Sequence, residues 1–320
     1  MTDTSQIPLG SNVVVHFGGS HGASDPAKAT RNGILLARRT EAGWPERLVV
    51  GTLDAYDDGH EGRSVNFLMT ADIEVELVAA PPAGSMLVVD GRSHQEQRVR
   101  NVAPSRLAAL EWLEEHRPDW REHGDMEVVP AYPDEPVWIN PLPVGLVPVR
   151  RSDSFLDLPE GVTGIPIGDR HPGAFGFRRR KHVHEGVDLY CAENMVVHAM
   201  ESGRVVAVIP FTGTIAEPPS PWWNDTWAVL IEGVSGVVVY GEIDGVRVST
   251  GDVVEAGRPV GAVRRVMTKD NGRPLDMLHV ELHQHGTRDA YEWKLEGERP
   301  SSLLDPTEML LSIHFAEARR

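Results

Sequence analysis

His184-Glu185-Gly186-Val187-Asp188 and, about ninety residues later, Leu278-His279-Val280-Glu281-Leu282 carry the residue types best suited to chemistry in this chain. Two imidazoles and a carboxylate, flanked by strand-forming residues, are the donors that Zn²⁺ takes when a fourth position stays open for water. A straight strand would hold His184 and Asp188 about 13 Å apart, at roughly 3.3 Å per residue, which is far for a shared ion. The chain must therefore bend between them, and Gly186 is expected to supply the bend through backbone angles closed to other residues. In the later segment, alternation puts Met277, His279, Glu281 and His283 on one face and Leu278, Val280 and Leu282 on the other. An HxxxD pair by itself reads more readily as a solvated histidine beside a capping aspartate, so the surrounding framework has to decide.

That framework resembles the lysostaphin-type, or LytM-like, zinc endopeptidases over about the last 160 residues. The resemblance rests on the order of Phe175-Gly176-Phe177-Arg178, the His184 to Asp188 segment, Met195-Val196-Val197-His198-Ala199 and Gly203-Arg204-Val205-Val206. Val239-Tyr240-Gly241-Glu242, the Val248 to Val253 stretch with Gly251, Gly257 to Gly261, and Leu278 to Glu281 continue it. It implies that His184, Asp188 and His279 are the three ligands of a zinc ion, set on an antiparallel β-sheet core beside a groove that holds peptide or peptidoglycan-like substrate. The sequence departs from the family pattern at two positions that handle protons: Met277 stands where the first histidine of HxH belongs, and Glu242 where the histidine of YxH belongs.

Three outcomes follow from that departure. Glu242 can act as a non-standard general base on water, so that amide hydrolysis survives with altered pH dependence. Glu242 can instead reach the ion as a fourth ligand and make the zinc structural. Or the groove persists as a peptide- or protein-binding module without catalysis. All three implied ligands are present, which favours a metal site, with peptide amide hydrolysis as the leading function.

Neighbouring polar residues fall into lesser roles. His182 and His283 are expected at the rim or surface, His198 as a satisfied imidazole inside a strand, and Glu281 as a carboxylate that steadies a ligand. Trp222, Trp223 and Trp227 follow a proline-rich stretch and are expected to plug it locally. The run Arg178-Arg179-Arg180-Lys181 reads as a solvated edge.

A net charge of −16 over 320 residues disfavours nucleic acid and acidic lipid as partners. No segment approaches the roughly 20 apolar residues of a membrane span. The first residues lack the basic start and apolar run of a secretory leader. A cytoplasmic location is expected on that ground, with release by a leaderless route, as for virion or lysis proteins, as the alternative. The single cysteine, Cys191, cannot form an internal disulfide and is poorly placed as a nucleophile.

The expected fold is mainly β with some α, in two parts. Residues 1–130 form a β-rich or α+β domain without a specific chemical signal, residues 131–160 a proline-rich connector, and residues 161–320 the LytM-like domain. In the first part, strands are expected over residues 12–16, 33–36, 47–53, 65–69, 73–78 and 86–89, then a helix over 104–116. The glycines of Phe17 to Gly22 and the acidic run Asp57 to Glu61 read as turns. A terminal helix is expected from Thr307.

Overall fold

The computed structural model describes residues 4–17, 30–39, 46–51, 64–69, 73–82, 85–93, 96–120, 126–132, 138–151, 158–269 and 275–317. Strands dominate them, and the chain separates into two compact units, Met1–Glu135 and Pro136–Ala318. The turns expected at residues 18–22 and 57–61 lie outside the described residues.

In the first unit, β1 (Asn12–Phe17), β2 (Thr30–Arg39), β3 (Arg47–Gly51), β4 (Ser64–Leu68) and β5 (Ile73–Ala79) form an antiparallel sheet in the order β4-β3-β2-β1-β5. Its two faces feed two cores, because neighbouring residues on a strand point in opposite directions. Val13, Val15, Leu35, Leu48 and Val75 pack on one side, while Leu36 and Val49 pack with Leu87, Val89 and Val99 on the other. The latter three come from β6 (Met86–Ser93) and β7 (Glu96–Ala103), which pair with each other, β6 also pairing β8 (Met126–Pro130). The sequence gives little hint of β7, whose charged residues interrupt the apolar alternation. Helix α1 (Arg106–His116) starts two residues inside the expected range, where Ser105 Oγ accepts the Ala108 N–H at 3.1 Å and caps it.

The second unit begins inside the stretch expected to be a connector. There β9 (Gly145–Val149) pairs in parallel with β10 (Val162–Pro166), a pairing that tolerates Pro148 because the pair forms its own small sheet. Trp138 from the same stretch is buried and donates its indole N–H to Ser235 Oγ at 2.9 Å.

Next come β11 (His182–Val183), β12 (Val187–Tyr190), β13 (Val196–His198), β14 (Gly203–Thr212), β15 (Thr226–Glu232) and β16 (Val237–Asp244). They are followed by β17 (Val253–Val254), β18 (Pro259–Val263), β19 (Met277–His283), β20 (Trp293–Lys294) and β21 (Leu303–Leu304). The main sheet runs β12-β19-β16-β15-β14-β17, with β13, β18 and β21 attached to it. Helix α2 (Thr307–Glu317) closes the described chain from the expected Thr307.

Strand β19 lies between β12 and β16, with His279 opposite Asp188 on one side and Gly241 on the other. Both neighbours of the central histidine are thus set by register. On β16 the ladder slips: Trp227 pairs Ile243 and Val229 pairs Tyr240, so Gly241 and Glu242 together face the single residue Ala228. That is a β-bulge, and Glu242 sits in it with φ of 62°. Just before the bulge, the buried Tyr240 Oη accepts the Met200 N–H at 2.7 Å and ties β16 to the turn after β13. Tyr240→Phe should leave that buried N–H unpaired and lower unfolding free energy by about 1–3 kcal/mol, measured by urea denaturation.

Candidate metal centre

His184 Nε2, Asp188 Oδ1 and His279 Nδ1 converge in the interior of the second unit. The two imidazole nitrogens lie 3.0 and 2.8 Å from Asp188 Oδ1 and 3.3 Å from each other. With bonds of about 2.0–2.1 Å to a tetrahedral zinc, donor atoms stand about 3.3 Å apart, so the three need only a slight spread to seat an ion. All three residues are at most 5% exposed.

The second nitrogen of each ring fixes which lone pair points inward. His184 Nδ1 lies 2.9 Å from the Ala174 carbonyl, which can only accept, so that nitrogen carries the proton and Nε2 is left to bind. His279 Nε2 donates to Glu281 Oε1 at 2.9 Å, leaving Nδ1 for the ion. Glu281 Oε2 is held in turn by His283 Nε2 at 2.7 Å, and His283 Nδ1 approaches Ser302 Oγ at 3.3 Å. Glu281 thus holds the ring of a candidate ligand, on the face its alternation with His279 placed it. His283, expected at the rim, is instead fully buried behind it.

The two rings differ electrostatically, and an ion would have to displace a proton from His279 but not from His184. Burial lowers the His184 pKa, with Asp188 partly opposing, so the ring is readily neutral. Burial alone would lower the His279 pKa too, but hydrogen bonds to Asp188 and Glu281 outweigh it and hold the pKa well above the usual value. Asp188 would be raised by burial, yet His184 and Arg179 hold it well below the usual carboxylate range. Glu281 likewise falls to about 2 against the effect of burial, through its bonds to His279 and His283.

The bend between His184 and Asp188 is present, but Gly186 serves it differently from expectation. Its backbone is not left-handed; its role is room, since a Cβ there would meet the Val280 carbonyl oxygen at 2.3 Å and the His279 ring at 2.9 Å. The residues that set the bend come from a loop with no side-chain signature. Pro172 O accepts from Arg179 Nε and Nη2 at 3.2 and 2.9 Å, Gly173 O accepts the Asp188 N–H at 2.9 Å, and Ala174 O accepts from His184. Arg179, read as part of a solvated basic edge, turns inward at a tight hairpin whose Arg179 N–H bonds His182 O at 2.9 Å. Its Nη2 lies 2.5 Å from Asp188 Oδ2.

Glu242 is half-buried, and its Oε2 is sealed from solvent without a hydrogen-bond partner. Burial and then the charge of Asp188 push its pKa up to about 8, against attraction from His279 and Arg179. Met277 is buried opposite Tyr190. The Phe211 ring lies against the His279 ring, with centroids 5.5 Å apart. His182 stays half-buried, 3.8 Å from Glu185 Oε2, and His198 Nδ1 lies 3.4 Å from Pro141 O. Trp222 is not a plug: it is 60% exposed, with Lys181 Nζ 5.6 Å from its ring centroid. Burial pushes the Cys191 thiol up to about 12, which suits an inert side chain.

Residues 182–290 match the model of Peptidase family M23. The second unit therefore carries an M23-type peptidase region with a His/Asp/His cluster compatible with zinc. Among solved structures, the catalytic domain of the antimicrobial peptidase lysostaphin from Staphylococcus simulans is 18% identical, covers 51% of this chain and 98% of its own, and has a TM-score of 0.29. The match to the longer lysostaphin chain spans 46% of that chain's length. The catalytic domain of a mutant of the prophage-encoded M23 protein EnpA from Enterococcus faecalis is 20% identical over 39% of this chain and 86% of its own, with a TM-score of 0.28. A candidate peptidase M23 from Pseudomonas aeruginosa covers 96% of this chain and 95% of its own at 14% identity, with a TM-score of 0.30. No curated protein matches the chain.

The expectation of a cytoplasmic location is corrected by these matches, which include an antimicrobial peptidase. Its basis was an absence in the first residues, and such an absence does not fix where a protein works. No helix among the described residues is long and apolar enough to cross a membrane.

Two tests follow. Gly186→Ala should displace the His279 ring and weaken zinc binding at least tenfold, measured by competition with a chelating dye. The second concerns His171, which is fully buried and accepts the Gly173 N–H on Nδ1 at 3.1 Å; burial lowers its pKa to about 4. An unfolded histidine titrates near 6.5, so the folded state loses stability as pH falls from about 6.5 through 4. In metal-free protein, His171→Asn should flatten that part of the curve of urea midpoint against pH.

Proposed function

We propose that the second unit is a zinc-dependent hydrolase of peptide amide bonds in which Glu242 replaces the usual imidazole as general base. The observation that carries the reading is the meeting of two imidazole nitrogens and one carboxylate oxygen, with a sealed, unpartnered carboxylate on a strained bulge near enough to feel the charges of Asp188 and His279. Zn²⁺ held by His184, Asp188 and His279 would supply Lewis-acid polarisation of water and of the amide carbonyl. The chain's own contribution is to move protons. Glu242 accepts the proton from water as the C–O bond forms, then returns it to the amide nitrogen as the C–N bond breaks, so the leaving amine departs neutral. Its raised pKa suits that exchange, because a carboxyl near neutrality both takes and gives a proton. A glycine-rich peptide of the kind found in peptidoglycan cross-bridges is the proposed substrate class, and the exported or virion-associated setting follows from it.

A second reading is favoured by the same unpartnered Oε2. If Glu242 turns onto the ion as a fourth ligand, the zinc is structural and the unit is a peptide- or protein-binding module. Metal analysis of purified protein should find one zinc per chain in the wild type and none in His279→Ala. On a panel of glycine-rich peptides, Glu242→Gln should lower kcat/KM by about 10²- to 10⁴-fold while keeping the zinc. Wild type and Glu242→Gln equally inert across the panel would transfer the case to the binding module.

A further inference from the structure

Asp188 has two oxygens, and they face different partners. Oδ1 meets both ligand imidazoles, at 3.0 and 2.8 Å, while Oδ2 accepts from Arg179 Nη2 at 2.5 Å. The carboxylate has few other freedoms. Its backbone N–H is bound to Gly173 O, and the packing is so close that a Cβ on Gly173 would stand 3.1 Å from Asp188 Cβ and 3.1 Å from Tyr190 Oη. Rotation about the Cβ–Cγ bond is what remains, and it would bring both oxygens toward the ion. Arg179 opposes that rotation from a fixed base, since Nε and Nη2 are both bonded to Pro172 O.

We propose that Arg179 is a positioning residue that restricts Asp188 to a single metal-binding oxygen. This rests on the zinc reading above and adds to it the number of open positions at the ion. With Oδ2 occupied by the guanidinium, three protein donors bind and a fourth position stays open. With Oδ2 free, a carboxylate chelates through both oxygens, and the space for water and a substrate carbonyl shrinks. Arginine suits this task better than lysine, because its planar fork reaches the Pro172 carbonyl and the carboxylate at once.

Cobalt substitution reads the coordination number without any catalytic assay, because the visible band of Co²⁺ is strong in four-coordinate sites and weak in sites of higher coordination. The wild-type cobalt protein should show the strong band. Arg179→Met, which keeps the apolar stem and removes the fork, should weaken it several-fold at unchanged cobalt stoichiometry, and Arg179→Lys should restore part of the intensity. A weak band in the wild type overturns the proposal even if the variants do not fold, and so does a band of equal strength in wild type and Arg179→Met. Wild-type protein that takes up neither cobalt nor zinc overturns the zinc reading itself and this inference with it; an ion bound with an Arg179-independent band overturns this inference alone.

Discussion

Three consecutive carbonyl groups, those of Pro172, Gly173 and Ala174, hold the guanidinium of Arg179, the backbone of Asp188 and the ring of His184. A carbonyl oxygen only accepts, so each contact has one possible polarity and cannot be satisfied by a flipped or shifted partner. The His184 tautomer, the reach of Asp188 and the location of Arg179 are set together by a short stretch of backbone. A metal site gains most from such fixed geometry, because ordering three flexible side chains at the moment of binding would oppose the ion.

The third donor is fixed by other means. His279 sits on the central strand β19, where register alone places Asp188 on one flank and Gly241 on the other. The absence of a side chain at Gly241 is what admits the Phe211 ring, since a Cβ there would come within 2.7 Å of it. Behind His279, the Glu281 and His283 pair continues the same face of the strand inward to Ser302. Sheet register and side-chain alternation thus do for His279 what the carbonyl loop does for the other two.

Much of this is legible in the sequence, and the rest is hidden for identifiable reasons. His184, Asp188 and His279 stand out because their side chains carry the signal and the family-like order of segments frames them. Glu281 is readable because a strand has a period of two. The 172–174 loop is not readable, because its work is done by main-chain oxygens that every residue possesses. Arg179 is concealed among three other cations that do face solvent, and only the hairpin at 179–182 distinguishes it. Gly186 is recognised as necessary but for the wrong reason, since a glycine's freedom of angle and its lack of bulk look identical in a sequence. In the first unit β1 to β6 are found and β7 and β8 are not, because the charged β7 and the short β8 are supported by their pairing with β6 rather than by their own alternation.

The bulge at Gly241 and Glu242 makes the length of β16 matter as much as its composition. Beyond the slip, every later side chain on that strand is out of phase with those before it, so the strand carries two reading frames of inside and outside. Loss of one residue would merge them into a single frame, mend the ladder with β15 and carry the carboxylate away from its present aim. Insertions and deletions at this point, which leave all three candidate metal donors untouched, would therefore separate the integrity of the His/Asp/His cluster from whatever use the protein makes of it.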